Sequence, residues 1–170
     1  MKIEIVILIH HGLGDVIMTI PSLAILKHNN FNIVAIVQSD FIGEYLVTKN
    51  LIDRYLILKT NKNHFNILKS VVLLRIKNKI PSLGLILHGT GNLGRAVLLL
   101  LGVKKTHFPR ENYKNLVNGS RHKVQYFLDI TKSISKQLKP IPKNTEKNIF
   151  FNKNTIAILP GSGEVFKQWN

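Results

Sequence analysis

The sequence has no cysteine, few acidic residues and no long apolar run. Without cysteine, the chain can form neither a disulfide framework nor a cysteine-ligated metal site. Its longest apolar stretches, such as AVLLLLGV at 96–103, are far shorter than the ~18–20 residues that a membrane-spanning helix needs. The N-terminal apolar run holds Glu4 and has no small-residue cleavage site, so it predicts a strand and not a signal peptide. These features fit a protein of the reducing cytoplasm.

Acidic residues are scarce relative to basic ones. The chain has 24 Lys and Arg against 9 Asp and Glu, which gives a formal net charge of +15. Such a charge favours polyanionic partners: nucleic acid, an anionic membrane surface or phosphorylated substrates. The richness in Lys, Asn and Ile is equally typical of an AT-rich genome, which raises the lysine content without any binding role. Nucleic acid is not predicted as a partner, because no aromatic residues interleave with a basic run.

Strand and helix patterns alternate along the chain. Apolar, β-branched runs predict strands at 3–9, 32–38, 54–59, 83–88 and 104–108. Helices are predicted at 15–28, 40–50, 63–78, 93–101 and 122–138. We expect Pro21 to kink the first helix and Asp40 to cap the second. The alternation implies right-handed crossovers and a doubly wound, Rossmann-like parallel sheet with helices on both faces, an α/β domain.

Two helices carry a periodic apolar pattern. On 63–78 one apolar face is formed by Phe65, Leu68, Val72 and Ile76, as in an amphipathic helix. Lys62, Lys69 and Lys77 lie elsewhere. On 122–138 the residues predicted to point inward are Val124, Phe127, Leu128, Ile130, Thr131 and Ile134.

The pattern breaks after the last of these helices. The stretch KPIPKNTEKN has two prolines and no periodicity, which indicates a linker. The strand-like TIAIL and the glycine turn PGSG follow it. We therefore predict a first domain at 1–139, a linker at 140–154, and at 155–170 the first strand and turn of a truncated second α/β domain.

An acidic residue follows the first strand on a glycine turn, in HHGLGD. Ligands of open α/β sheets bind beyond the carboxyl ends of the strands, where Gly12 and Gly14 would lie. Asp15 falls on the first turn of the next helix. A carboxylate there can accept backbone N–H bonds as a helix cap, or it can take a proton from a substrate hydroxyl. His10 and His11 flank the turn. They could contact an anionic ligand, or they could simply be polar residues that cover the end of the strand.

A second glycine turn, GTGNLG at 89–94, offers an alternative. It satisfies the dinucleotide pattern G-x-G-x-x-G after a strand and before a helix. The pattern also requires an acidic residue at the end of the next strand, where this chain has Lys104 and Lys105. An NAD-binding oxidoreductase domain is therefore the least favoured interpretation. Arg95, directly after the turn, is placed to meet a phosphate of an acceptor.

Three stretches together suggest a family. GLGDVIMTIPSLAILK, RHKVQYFLDI at 121–130 and IAILPGSGEVFKQWN at 156–170 resemble signatures of the ADP-heptose:lipopolysaccharide heptosyltransferases, glycosyltransferase family nine. The resemblance implies the N-terminal half of a GT-B architecture, in which two Rossmann-like domains face each other across a cleft. It also implies inverting transfer of a heptose from an ADP-sugar to the lipopolysaccharide inner core, with Asp15 as the catalytic base.

The resemblance also assigns the donor side. Ser162, Gly163 and Lys167 would contact the donor's phosphates. Gly12, Gly14, His11 and Arg95 are expected on the acceptor side, whereas His122 is expected to cap and pack its helix. No metal is expected, because the histidines have no paired ligand spacing, and no cofactor is needed beyond the ADP-sugar.

The expected partners are a nucleotide-sugar donor, a phosphorylated lipopolysaccharide core and, peripherally, the inner face of the cytoplasmic membrane. Most of the donor-binding domain lies outside these 170 residues, so the chain alone is expected to be inactive. The alternative function is that of a non-catalytic α/β remnant which binds an anionic glycan or a nucleotide.

Overall fold

The computed structural model describes residues 3–9, 12–58, 64–87, 91–108 and 123–134. These residues all belong to the first of the two units into which the chain divides, Met1–Pro140. The predicted linker at 140–154 and the predicted second-domain strand lie outside the described residues, so the domain boundaries remain a prediction.

Five strands and five helices alternate over the described residues. The strands are β1 (Glu4–Leu8), β2 (Asn32–Val37), β3 (Arg54–Ile57), β4 (Leu83–Ile86) and β5 (Lys105–His107). The helices are α1 (Leu13–His28), α2 (Asp40–Thr48), α3 (His64–Lys77), α4 (Gly91–Leu100) and α5 (Lys123–Lys132). Each element falls where the sequence pattern places it, with ends that differ by a few residues. The α1 helix continues through Pro21, so the kink expected there remains a prediction.

The strands form one parallel sheet in the order β3-β2-β1-β4-β5. The chain builds outward from β1 to β3, then returns to the other side of β1 with β4. The doubly wound α/β fold predicted from the sequence is therefore confirmed. Among the described residues the outermost strands of the sheet are β3 and β5, which have four and three residues.

The sheet has an apolar core on each face, which explains the nearly continuous apolar runs of the central strands. One core joins Val6 and Leu8 of β1 to buried residues of α3 and α4, among them Val71 and Leu98. The alternate residues of β1 are buried on the opposite face of the sheet. Helix α2 lies on that face, because its Gly43 sits against the ring of Tyr55, and Tyr55 is not part of the first core.

The α5 helix packs on α1, with Tyr126, Phe127, Ile130 and Thr131 buried. The predicted inward residues Phe127, Ile130 and Thr131 are confirmed. Val124, Leu128 and Ile134 are only partly buried, and Tyr126 was not predicted. The tyrosine ring lies beside that of Phe127, with 6.0 Å between the ring centroids.

The expectation that Asp40 caps α2 was wrong. Ser39, not Asp40, is the N-cap of α2; Asp40 is the first helical residue and accepts a hydrogen bond from the Tyr55 hydroxyl at 3.2 Å. On α3, Leu68, Val72 and Ile76 face outward, and Val71 is the buried residue, with Ile67 and Leu74 packed beside the core. Because α3 is apolar around most of its circumference, its pattern does not determine which side meets the sheet.

Among the described residues, no helix combines the length and the apolar character that crossing a membrane requires.

Candidate functional site

The candidate site lies at the carboxyl end of the two central strands. β1 and β4 are parallel neighbours, and the chain leaves them toward opposite sides of the sheet. At such a switch point the two following turns separate, which opens the crevice where doubly wound sheets bind their ligands. Gly12 precedes α1 as its N-cap, Gly14 and Asp15 lie in the first turn of α1, and the helix after β4 carries Arg95. The fold thus brings these four predicted residues to the carboxyl end of the two central strands.

The turn after β1 is open where its glycines lie. Gly12 is the N-cap of α1, with an extended backbone, and makes no side-chain cap bond. A Cβ added to Gly12 or to Gly14 would meet no atom within 4 Å. Neither glycine is therefore needed to relieve a clash within the described residues. Their lack of a side chain leaves the backbone of this turn accessible to a ligand.

Asp15 is the third residue of α1 and is half-buried. Its backbone N–H donates to the Gly12 carbonyl at 3.0 Å, which closes the first turn of the helix. The N-cap position belongs to Gly12, so Asp15 is not the N-cap residue. An acidic residue in the first turn of a helix is a common feature of helix N-termini. The side chain is neither deeply buried nor fully exposed.

Arg95 lies on the exposed side of α4, and its guanidinium is held over the ring of Phe108. The Cζ atom is 5.1 Å from the ring centroid, which is within the range of a cation–π interaction. Phe108 directly follows β5 and packs at the border of the core. The guanidinium is thereby restrained while its N–H groups remain able to bind an anion. No sequence pattern indicates the Phe108 contact, because the two residues belong to different parts of the fold.

The second glycine turn includes a residue with a clear packing role. A Cβ at Gly94 would lie 3.0 Å from Leu8 Cδ2 and 3.2 Å from Ile86 Cγ2, so the glycine lets α4 approach β1 and β4 closely. Close helix–strand packing is what the last glycine of a dinucleotide motif also provides. However, β5 ends at His107, and no carboxylate stands there. The first two residues of GTGNLG lie outside the described residues.

His107 is a polar group at this end of the sheet that the sequence analysis did not select. Its Nδ1 is 3.0 Å from the Ser133 hydroxyl oxygen, and that hydroxyl donates to the Ile130 carbonyl at 2.6 Å. Nδ1 must therefore be the donor to Ser133. Burial lowers the pKa of His107, and the nearby charge of Lys105 lowers it further. The sequence feature that could have indicated His107 as a site residue is its position near the end of a predicted strand.

Several predicted site residues lie outside the described residues. They are His10, His11, His122, Ser162, Gly163 and Lys167. The donor-side assignment therefore remains a prediction, as do the roles of the histidines.

The fold and the site define a doubly wound α/β domain with a carboxylate-bearing glycine turn at its switch point. No family model matches the sequence, and no curated protein matches it. A solved structure with a similar fold is that of the glycosyl transferase family 9 protein from Veillonella parvula DSM 2008. The two chains are 14% identical, with a TM-score of 0.64, over 80% of this chain and 41% of the other. This chain thus spans about two-fifths of that protein.

Proposed function

We propose that this chain is the acceptor-side domain of a family 9 glycosyltransferase, with Asp15 as its general base. The observation that carries the proposal is the position of Asp15: a half-buried carboxylate on an open glycine turn, at the switch point of the sheet. The similar fold of a family 9 glycosyl transferase supports it, as do the sequence signatures around Asp15 and Pro21.

The proposed reaction is an inverting displacement. The Asp15 carboxylate takes the proton of the acceptor hydroxyl while that oxygen attacks the anomeric carbon of the donor sugar. The new C–O bond forms as the bond to the diphosphate breaks, and the diphosphate leaves with the bonding electrons. Lys167 and the backbone N–H groups near Ser162 and Gly163 would stabilise that negative charge. No metal or further cofactor is part of this proposal.

Arg95 would hold the acceptor. Its guanidinium, restrained over Phe108, suits a phosphate group because it can donate two parallel hydrogen bonds. A phosphorylated sugar acceptor is therefore the preferred class. We propose the lipopolysaccharide inner core as that acceptor and an ADP-heptose as the donor, with the reaction on the cytoplasmic side of the inner membrane.

Acceptor binding can be tested on the chain itself. We expect a phosphorylated, deacylated inner-core oligosaccharide to shift the NMR amide signals of Gly12, Gly14 and Asp15, and also that of Arg95. The Arg95→Gln variant should weaken binding about tenfold or more, because a charge-assisted hydrogen-bond pair is lost. If the oligosaccharide shifts none of these four signals, the proposed acceptor site is wrong.

Catalysis requires both domains, so we would join this chain to the donor-binding domain of a family 9 glycosyltransferase. Once transfer is established, Asp15→Asn should lower kcat by about 10²–10⁴-fold, with little change in donor KM. Asp40→Asn is the matched control, since Asp40 also lies in the first turn of a helix that follows a strand. Normal turnover in Asp15→Asn would refute the base assignment. Oligosaccharide binding without any sugar transfer by the joined protein would instead favour a non-catalytic binding module.

A further inference from the structure

The outward side of α3 is apolar. Leu68, Val72, Leu73 and Ile76 are all exposed there, and Ile76 has 75% of its surface accessible. An ordinary surface helix presents polar residues on its solvent side. Among the α3 residues whose side chains are described, the exposed polar ones are Lys69, Arg75 and Lys77, all basic.

The neighbouring helix α4 extends this apolar surface. Its exposed residues include Leu93, Leu99 and Leu100. Arg75 of α3 donates from Nη1 to the Leu100 carbonyl at 3.1 Å, which ties the two helices together. We define the α3–α4 face by the exposed apolar residues of both helices: Leu68, Val72, Leu73, Ile76, Leu93, Leu99 and Leu100. These are seven of the twelve large apolar residues that are exposed in the described part of the chain.

The sequence that builds this face contains no acidic residue. After Asp53 the next carboxylate is Glu111, and between them lie eleven basic residues: Arg54, Lys59, Lys62, Lys69, Arg75, Lys77, Lys79, Arg95, Lys104, Lys105 and Arg110. Among those described, Lys69, Lys77, Lys79, Lys104 and Lys105 are exposed. The two helices and their connecting strands thus combine exposed aliphatic side chains with a charge of one sign.

We propose that the α3–α4 face docks on the surface of an anionic lipid bilayer. Proteins bind such a surface with aliphatic side chains, which enter the headgroup boundary, and with lysines, which contact the lipid phosphates. A second copy of the same face is a poor partner, because cations would then oppose cations. Nucleic acid is also disfavoured, since the exposed apolar residues of this face are aliphatic and cannot stack on bases as aromatic side chains do.

This proposal deepens the membrane contact in the proposed function by naming the surface that makes it. Its test uses vesicles without any saccharide, so the two can fail separately. We expect the chain to float with phosphatidylcholine vesicles that contain about one-third phosphatidylglycerol, and to bind pure phosphatidylcholine far more weakly. Binding should fall when salt is raised to about 0.5 M, because exposed charges are then screened.

Variants on the face should lower the partition coefficient. Lys69→Gln and Lys77→Gln should each reduce it about fivefold, the usual contribution of one basic residue near an anionic surface. The double variant Val72→Glu/Ile76→Glu should reduce it at least tenfold. The matched control is Phe41→Glu, because Phe41 is 67% exposed on α2, on the opposite side of the sheet. That variant should bind like the parent chain, and all variants should keep the parent's unfolding midpoint.

Three results would overturn the proposal. The first is equal binding to neutral and anionic vesicles, and the second is a loss in Phe41→Glu as large as that in the face variants. The third is a change from dimer to monomer in Val72→Glu/Ile76→Glu, measured by sedimentation velocity, while vesicle binding is unchanged. Such a result would mean that the α3–α4 face is a contact between two copies of the chain. Asp15→Asn, which should impair catalysis, is expected to leave vesicle binding unaltered.

Discussion

The packing of α4 on the sheet allows a sharp comparison of two glycines. Gly94 and Gly14 each lie near the start of a helix that follows a central strand. At Gly94, an added Cβ would be 3.0 Å from Leu8 and 3.2 Å from Ile86, both of which are buried in the core. At Gly14, it would meet nothing within 4 Å. The same substitution, glycine to valine, should therefore have different effects at the two positions.

The expected magnitudes follow from two opposing terms. Valine has a better helix propensity than glycine by a few tenths of a kcal/mol, and this gain applies at both positions. At Gly94 the side chain must also enter a filled core, which costs about 1–3 kcal/mol. We therefore expect Gly94→Val to lower the free energy of unfolding by about 1–3 kcal/mol. Gly14→Val should change it by less than about 0.5 kcal/mol.

Urea denaturation of the two variants and the parent chain provides the measurement. The midpoint should fall for Gly94→Val with an unchanged m-value, since the surface exposed on unfolding is nearly the same. Equal midpoints for the two variants would refute the packing argument. The last glycine of GTGNLG would then need another explanation, and tight NAD binding by the chain would have to be tested.

Two further predictions concern ionisable groups. Asp53→Ala should lower the free energy of unfolding by about 1–3 kcal/mol in urea denaturation, because the buried N–H of Ile33 donates to that carboxylate at 2.7 Å and would lose its acceptor. Lys27→Met, which removes only the partly exposed ion pair with Asp53 at 2.8 Å, should cost about 0–1 kcal/mol; equal losses would contradict this distinction. Burial lowers the pKa of His107 from its ordinary value of 6.5, so the unfolded chain binds that proton more readily. The contribution of His107 to the free energy of unfolding should therefore be fully present above about pH 6.5 and be lost as the pH falls below that value. His107→Gln should flatten this pH dependence. An unchanged slope in the variant would show that other groups cause it.

Much of the fold could be predicted because local pattern and topology agree. The run of apolar residues in β1, the glycine turn after it and the amphipathic start of α1 all indicate a strand, a turn and a helix at the same positions. Parallel pairing then follows from the crossovers, and it places Asp15 at the carboxyl end of β1, where doubly wound sheets in general bind their ligands.

The orientation of α3 could not be predicted, for a physical reason. When a helix is apolar on both sides, its own sequence allows either side to pack, and the sheet beneath it decides. In this chain the sheet meets Val71 and leaves Ile76 outside. The cation–π contact of Arg95 was equally inaccessible, since it joins α4 to a residue after β5 and depends on tertiary placement.

The shortness of β3 and β5 affects how the protein behaves at high concentration. An exposed sheet edge is a template on which another chain can add a strand, and long flat edges promote aggregation. Here one edge offers four residues, beginning with Arg54, and the other offers three, beginning with Lys105. Both edges thus combine little hydrogen-bonding length with positive charge that repels an identical edge. Short outer strands that begin with a cation are a device that limits edge-to-edge association around an apolar interior.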